Sequence, residues 1–160
     1  MASTKGSGLK KLEDQFSGVN KVTFSRILDR DLFLFLLDLE VKRARRYQNF
    51  LCLMSFKIKR FAGDGDGANF QSCHRTLLNF LMEEIRESDI IGSLELNKLV
   101  VLLPYADAKS GAYVKSRVED FLKYYDFKND GFEIVVDQVC FPIHGTDTID
   151  LMRKVLEGLG

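Results

Sequence analysis

The sequence predicts an α/β protein built in layers (α+β), in which a mixed, mostly antiparallel central sheet contains a β-hairpin and is flanked by helices. Two observations support this fold class. Residues 86–104, RESDIIGSLELNKLVVLLP, have the pattern of a helix end, a strand, a tight turn and a second strand. Helix-like and strand-like segments also alternate along the rest of the chain. Because a tight hairpin joins antiparallel strands, the sheet is predicted to be mixed rather than wholly parallel.

Residues 1–20 are predicted to precede the folded domain, which we expect to span residues 21–160. Residues 1–8 are small and polar, as is typical of a flexible tail. Residues 9–16, LKKLEDQF, carry apolar side chains three and four positions apart and therefore predict a short helix.

The next predicted helix begins near Ser25 or Asp29, either of which can cap it, and ends near Arg46. Its residues 32–37, LFLFLL, are apolar on every face, so one packing surface cannot cover them. Two explanations stay open at this stage: the short N-terminal helix folds over this segment, or a second copy of the chain or a partner protein covers it. The residues expected to form that contact are Leu32, Phe33, Phe35 and Leu36.

The spacing of the apolar residues defines the remaining elements. The apolar run closed by Pro104 predicts a buried central strand, and alternation predicts half-buried strands. Clustered glycines and aspartates indicate a loop. In chain order the predicted segments are a strand at 50–58, a loop at 61–69, a helix at 70–87, the hairpin strands at 90–94 and 99–103, a helix at 107–125, a strand at 132–141 and a short helix at 151–156.

The composition argues against some functional classes. The chain contains 23 basic and 23 acidic side chains, and its formal net charge of zero argues against a nucleic-acid binder that relies on phosphate neutralisation. The sequence has no signal peptide and no apolar run long enough to cross a bilayer, so we expect a cytoplasmic protein without membrane insertion. Cys52, Cys73 and Cys140 are odd in number and have no paired spacing, which favours buried free thiols over a disulfide or a metal site.

The hairpin region resembles the GGDEF domain of diguanylate cyclases. That family has the order R-x-S-D, five residues, the GGDEF turn and then V-x-L-L-P. This chain has Arg86–Asp89, a five-residue spacer, the turn residues Glu95–Leu99 and then Val100–Pro104. Residues 40–46, EVKRARR, match the end of the family's first helix, E-x-x-R-A-R-R. The resemblance extends over about residues 22–156 and implies a nucleotidyl cyclase-like fold.

The resemblance also implies where catalysis is lost. In the family, an aspartate of the first strand and an acid of the turn hold two divalent cations that bridge the GTP phosphates. These positions fall here on Lys57 and Lys98, and a second acid of the strand falls on Lys59. The two turn glycines fall on Glu95 and Leu96, whose side chains fill the space that a nucleotide needs. We therefore expect no enzyme activity, no bound metal and no cofactor.

A second family site is retained according to the same resemblance. In many members an R-x-x-D motif five residues before the turn binds cyclic di-GMP, together with an arginine on the following helix. The matching residues are Arg86, Asp89 and Arg117. Arginine suits the O6 and N7 acceptors of guanine, and a carboxylate suits its N–H donors. The alternative is structural: Asp89 caps a turn, and Arg86 lies solvated at a helix C-terminus.

Three functional hypotheses follow. The favoured one is an inactive GGDEF-like regulatory domain that binds cyclic di-GMP, and the alternative is a nucleotide-free interaction or dimerisation module. An active cyclase is the least favoured, because lysines repel the divalent cations that the reaction needs. A metal-free phosphate site at Lys57, Lys59 and Lys98 is also weighed and not favoured. His74 and His144 have no convincing nucleophile partner.

Overall fold

The computed structural model of the protein describes residues 27–61 and 67–158. Within these residues the chain forms five strands and four helices. In chain order they are β1 (Ile27–Asp29), α1 (Arg30–Tyr47), β2 (Leu51–Arg60), α2 (Gly67–Glu84), β3 (Ile90–Glu95), β4 (Lys98–Pro104), α3 (Ala108–Tyr124), β5 (Phe132–Phe141) and α4 (Thr148–Glu157). The predicted tail, the predicted helix at 9–16 and the domain boundary near residue 20 lie outside the described residues.

The five strands form one sheet in the order β1-β3-β4-β2-β5. Strands β1 and β3 run parallel, whereas the other three neighbouring pairs are antiparallel. Strands β3 and β4 form the predicted hairpin, with a bulge between Ser93 and Glu95. The mixed, mostly antiparallel sheet flanked by helices is therefore confirmed. None of the helices in the described ranges combines the length and the apolar character that crossing a membrane requires.

Helix α2 differs from its prediction at both ends. It begins at Gly67, inside the predicted loop, of which residues 62–66 lie outside the described residues. It ends at Glu84 rather than near residue 87, because the chain turns immediately afterwards. That turn is closed by a hydrogen bond from Asp89 N to Arg86 O at 3.0 Å.

Aspartate side chains cap three of the helices. Asp29, Asp107 and Asp147 each accept a hydrogen bond from the backbone N–H three residues ahead, at 2.9, 2.8 and 2.8 Å. The cap at Asp147 lets α4 begin at Thr148, earlier than predicted. Of the two predicted caps of α1, Asp29 is the one observed, and Ser25 lies outside the described residues. The sequence does not predict β1, because three residues are too few to show a period.

Strand β2 is paired on both sides, with β4 and with β5. Its side chains point alternately to the two faces of the sheet. Met54, Phe56 and Ile58 belong to the core under α2 and α3. Leu51 and Leu53 belong to a second core, on the opposite face, under α1 and α4. The sheet is therefore covered by helices on both faces, as the apolar character of β4 predicts.

Helix α1 buries one row of its apolar side chains against the sheet, formed by Phe33, Leu37, Val41 and Ala44. Phe33 lies directly over Gly92 of β3, where an added Cβ atom would come within 2.5 Å of the Phe33 ring. Because Phe33 is fully buried, the prediction that it contributes to a contact surface was wrong. A segment that is apolar at every position shows no period, so the sequence could not tell which of its residues face the sheet.

A second row of apolar side chains on α1 is exposed. Leu32, Phe35 and Leu39 are 46%, 61% and 42% exposed, and we call these three residues the exposed stripe. Leu36, the remaining residue of the predicted contact surface, is half-buried. The prediction that residues 9–16 cover this part of α1 concerns residues outside those described.

The cysteines differ from the prediction. Cys52 of β2 and Cys140 of β5 are register partners, with Cα atoms 4.1 Å apart, and they form a disulfide. The prediction of free thiols was wrong for this pair, because the pairing depends on the register of two strands whose cysteines are 88 residues apart in sequence. Cys73 is free and buried, and burial raises the pKa of its thiol to about 11.

Phe33→Ala and Phe35→Ala remove the same side chain from opposite faces of one helix. We expect Phe33→Ala to lower the free energy of unfolding by about 3–5 kcal/mol, because it leaves a cavity in the core. Phe35→Ala should change that free energy by less than about 0.5 kcal/mol, because the ring is exposed. Urea denaturation at low protein concentration measures both values. Equal losses in the two variants would contradict the observed orientation of α1.

Candidate ligand-binding site

Arg86, Asp89 and Arg117, the three residues predicted to bind a ligand, line one surface cavity of about 460 Å³. The cavity lies between the C-terminal end of α2, the end of β4 and one face of α3. Ile85 and Val118 provide buried apolar surface at its base. The packing of α2 beside α3 thus brings together residues that the sequence separates by about thirty positions.

Asp89 is buried, and it closes the turn between α2 and β3. Its side chain is only 3% exposed. One carboxylate oxygen, Oδ2, accepts a hydrogen bond from Arg86 N at 2.9 Å, and the other, Oδ1, accepts from Arg86 Nη2 at 3.3 Å. A buried carboxylate needs such compensation of its charge. Both oxygens of Asp89 are therefore engaged by a residue of the same turn.

Arg86 lies at the mouth of the cavity, and 62% of its side chain is exposed. Its Nη2 atom donates to Pro104 O at 3.2 Å as well as to Asp89. These contacts hold the guanidinium over the end of β4. Because most of the side chain is exposed, a ligand can approach the guanidinium from the solvent side.

Arg117 approaches the cavity from α3 and forms an ion pair with Glu84 of α2. The distance from Arg117 Nη2 to Glu84 Oε2 is 2.6 Å. Both side chains are partly exposed, at 52% and 38%. The pair therefore joins the two helices at the rim of the cavity and places a second carboxylate there, one that the R-x-x-D motif does not include.

Tyr105, Lys109 and Tyr113 also line the cavity, although the resemblance does not point to them. Lys109, Tyr113 and Arg117 are four residues apart on α3 and so lie on one face, a spacing that is visible in the sequence. Tyr105 and Tyr113 are 64% and 67% exposed. Tyr105 adopts a φ of 61°, where the chain turns from β4 towards α3.

The cavity suits a ligand that combines phosphate with an aromatic base. Its two guanidinium groups and the Lys109 ammonium outnumber its two carboxylates, so the net charge favours an anion. The exposed tyrosine rings offer faces on which a base can stack. Nearby, the hydrogen bond from Ser110 N–H holds the pKa of the Asp107 carboxyl below its ordinary value. Asp107 therefore stays ionised as the cap of α3, which keeps the helix that carries Arg117 in position.

The two residues that the resemblance aligns with metal-binding acids are neighbours in the sheet. Lys57 of β2 and Lys98 of β4 are directly opposite each other in the register of the two strands. Lys59 lies on the same face, and all three line a smaller cavity of about 190 Å³ beside the end of α4. Divalent cations prefer oxygen ligands, whereas this position presents ammonium groups. In the described ranges no group of three or more His, Cys, Asp and Glu residues is arranged to hold a metal ion.

The two histidines have local contacts. His74 Nε2 lies 3.4 Å from Ser93 Oγ, and burial lowers the pKa of its imidazole. His144 Nδ1 accepts a hydrogen bond from Cys140 N at 2.7 Å, which closes the turn between β5 and α4. Neither histidine lines the cavity that contains Arg86 and Arg117.

Comparison with solved structures identifies the fold. A DGC protein from Thermotoga maritima has a TM-score of 0.70 and 14% identity, over 84% of this chain and 96% of its own. The GGDEF domain of DgcB from Caulobacter crescentus, in complex with c-di-GMP, has a TM-score of 0.64 and 11% identity, over 83% of this chain and 81% of its own. Diguanylate cyclase SiaD from Pseudomonas aeruginosa, in complex with its activator SiaC, has a TM-score of 0.61 and 14% identity, over 98% of this chain and 67% of its own.

No protein-family model and no curated protein matches the chain. At identities of 11–14%, the likeness to solved structures establishes the fold. The chain has a GGDEF-like fold of the diguanylate cyclase type, and the likeness extends over most of its length.

Proposed function

We propose that this chain is a catalytically inactive, GGDEF-like regulatory domain that binds cyclic di-GMP. The observation that supports binding is the convergence of Arg86, Asp89 and Arg117 on one cavity. An R-x-x-D sequence by itself is common, but the third residue comes from another helix and depends on the fold. The solved DgcB domain, which has the same fold, is in complex with c-di-GMP.

The chemistry of the cavity matches that of the ligand. Cyclic di-GMP contains two guanine bases and two phosphodiesters. The Arg86 guanidinium suits the O6 and N7 acceptors of guanine, and the Arg117 guanidinium suits a phosphodiester oxygen. Tyr105 and Tyr113 supply aromatic faces for the bases, and Lys109 adds positive charge for the phosphates.

The proposed inactivity is supported by the position of Lys57 and Lys98. Because these residues are direct partners across β2 and β4, both positions that the resemblance assigns to metal-binding acids carry ammonium groups at one place in the sheet. The two ammonium groups repel a divalent metal ion at this position. In addition, Glu95 and Leu96 carry side chains at the positions where the resemblance places glycines.

The binding proposal is tested by calorimetric titration with cyclic di-GMP. Arg86→Ala and Arg117→Ala should each weaken the affinity by about tenfold to a hundredfold, as expected for loss of one charge-assisted contact. Arg153→Ala is the matched control: Arg153 is 58% exposed and pairs with Asp150 on α4, away from the cavity. The Arg153→Ala variant should bind cyclic di-GMP with the affinity of the wild type. A wild-type protein that gives no signal at high-micromolar cyclic di-GMP would contradict the binding proposal.

The inactivity proposal is tested by incubation with GTP and Mg²⁺ or Mn²⁺. We expect neither cyclic di-GMP nor a linear dinucleotide, because lysines occupy the positions of the metal-binding acids. An active diguanylate cyclase assayed in parallel controls for the conditions, and chromatography detects the products. Metal-dependent turnover by this chain would contradict the proposed inactivity.

A second candidate function is a nucleotide-free interaction or dimerisation module. It is favoured by the exposed stripe of α1, in which Leu32, Phe35 and Leu39 share one helix face at spacings of three and four residues. The solved SiaD cyclase shares the fold and is in complex with its activator protein, SiaC.

Association through the exposed stripe is tested by sedimentation velocity over a range of protein concentrations. Phe35→Ser should abolish concentration-dependent association, because it replaces the most exposed apolar side chain of the stripe. Tyr124→Ser removes a side chain that is 91% exposed on another helix and should leave association unchanged. A chain without residues 1–20 shows whether that segment limits association. A wild-type chain that stays monomeric at every concentration contradicts self-association.

A further inference from the structure

The cavity contains two carboxylates, and their surroundings differ. We propose that Glu84, rather than Asp89, is the carboxylate that reads the guanine base of the ligand. In this assignment Asp89 is a positioning residue that holds Arg86 in place. The proposal rests on the proposed binding of cyclic di-GMP and deepens it, because it names the residue that selects guanine.

Asp89 is poorly placed to contact a base. Its side chain is 3% exposed, and each of its oxygens already accepts a hydrogen bond from Arg86. Since only 3% of the side chain is exposed, a base could reach this carboxylate only if the turn between α2 and β3, which Asp89 closes, were to open. Leaving Arg86 N without its acceptor carries a desolvation cost that a new contact would have to exceed.

Glu84 has the accessibility that Asp89 lacks. Its side chain is 38% exposed and lines the same cavity, two residues before Arg86. In the part of the chain that the structure describes, its carboxylate forms an ion pair with Arg117 through Oε2. An ionised carboxylate has about four lone-pair sites, so this ion pair leaves acceptor capacity for a ligand.

The pair of Glu84 and Arg117 has the chemistry that distinguishes guanine from adenine. Guanine offers N1–H and N2–H₂ as two adjacent donors, which a carboxylate accepts together. Adenine has the N1 lone pair at the corresponding position, which a carboxylate repels. Arg117 orients Glu84 and compensates its charge, while the remaining N–H groups of the guanidinium can meet a phosphate. Arg86, whose side chain is 62% exposed, can then contact the O6 and N7 edge of the same base.

The experiment compares the affinities of cyclic di-GMP and cyclic di-AMP for each variant by calorimetry. Glu84→Ala should weaken the affinity for cyclic di-GMP by about tenfold to a hundredfold. It should change the affinity for cyclic di-AMP by less than about threefold, so that the selectivity for guanine falls. Glu119→Ala is the matched control, because Glu119 pairs with Lys115 on α3 and does not line this cavity. It should leave both affinities unchanged.

Three results for Glu84→Ala would overturn the proposal. Unchanged affinity for cyclic di-GMP would show that Glu84 does not touch the base. Tighter binding would show that Glu84 competes with the ligand phosphate for Arg117. An equal loss for both nucleotides would show that Glu84 only orients Arg117. A wild-type chain that binds neither nucleotide would instead refute the proposed function itself, and with it this assignment.

The positioning role of Asp89 is tested by a double-mutant cycle. At a temperature where the variant is fully folded, Asp89→Asn should weaken the affinities for cyclic di-GMP and cyclic di-AMP by the same factor. In an Arg86→Ala background the same substitution should cost no further affinity, because Asp89 acts through Arg86. An equal cost in both backgrounds, or a loss restricted to cyclic di-GMP, would contradict a positioning role and return the base contact to Asp89.

Discussion

Strand β2 is antiparallel to both of its neighbours, and the rest of the structure depends on this arrangement. The buried apolar residues of β2 alternate between two cores, so the register of the strand determines which helices cover which side chains. A shift of one residue would move Met54 and Phe56 to the opposite face. The same register places Lys57 opposite Lys98 and makes Cys52 the partner of Cys140. Both the lysine pair and the disulfide therefore follow from how the two cores pack on the sheet.

The cavity depends in turn on a buried charge. Asp89 is the one charged residue that is buried within the described ranges, and Arg86 compensates it with both a backbone N–H and a guanidinium. These contacts end α2 and hold Arg86 at the cavity mouth. A motif that resembles a ligand signature thus has a structural function in the same molecule. For this reason the motif alone does not show which carboxylate of the cavity a ligand can reach.

The elements predicted most closely are those bounded by strong local signals. The hairpin and β5 agree with their predicted bounds to within about a residue, because apolar runs end there at turn residues or Pro104. The orientation of α1 could not be predicted, since LFLFLL has no polar residue to indicate the outer face. The pairing of Cys52 with Cys140 could not be predicted, because it depends on strand register.

The motif spacing pointed to Arg86, Asp89 and Arg117, but the motif contained no sign of Glu84.

Local patterns in the sequence predicted the order and type of every element except β1, and they placed lysines at positions 57, 59 and 98. These features depend on side-chain patterns within a few residues, which a linear sequence displays directly. Three further features became visible only in the folded chain: the parallel pairing of β1, the burial of Phe33 over Gly92 and the ion pair between Glu84 and Arg117. Each of these contacts joins segments that are far apart in the chain, so it exists only once helices pack on a sheet of defined register.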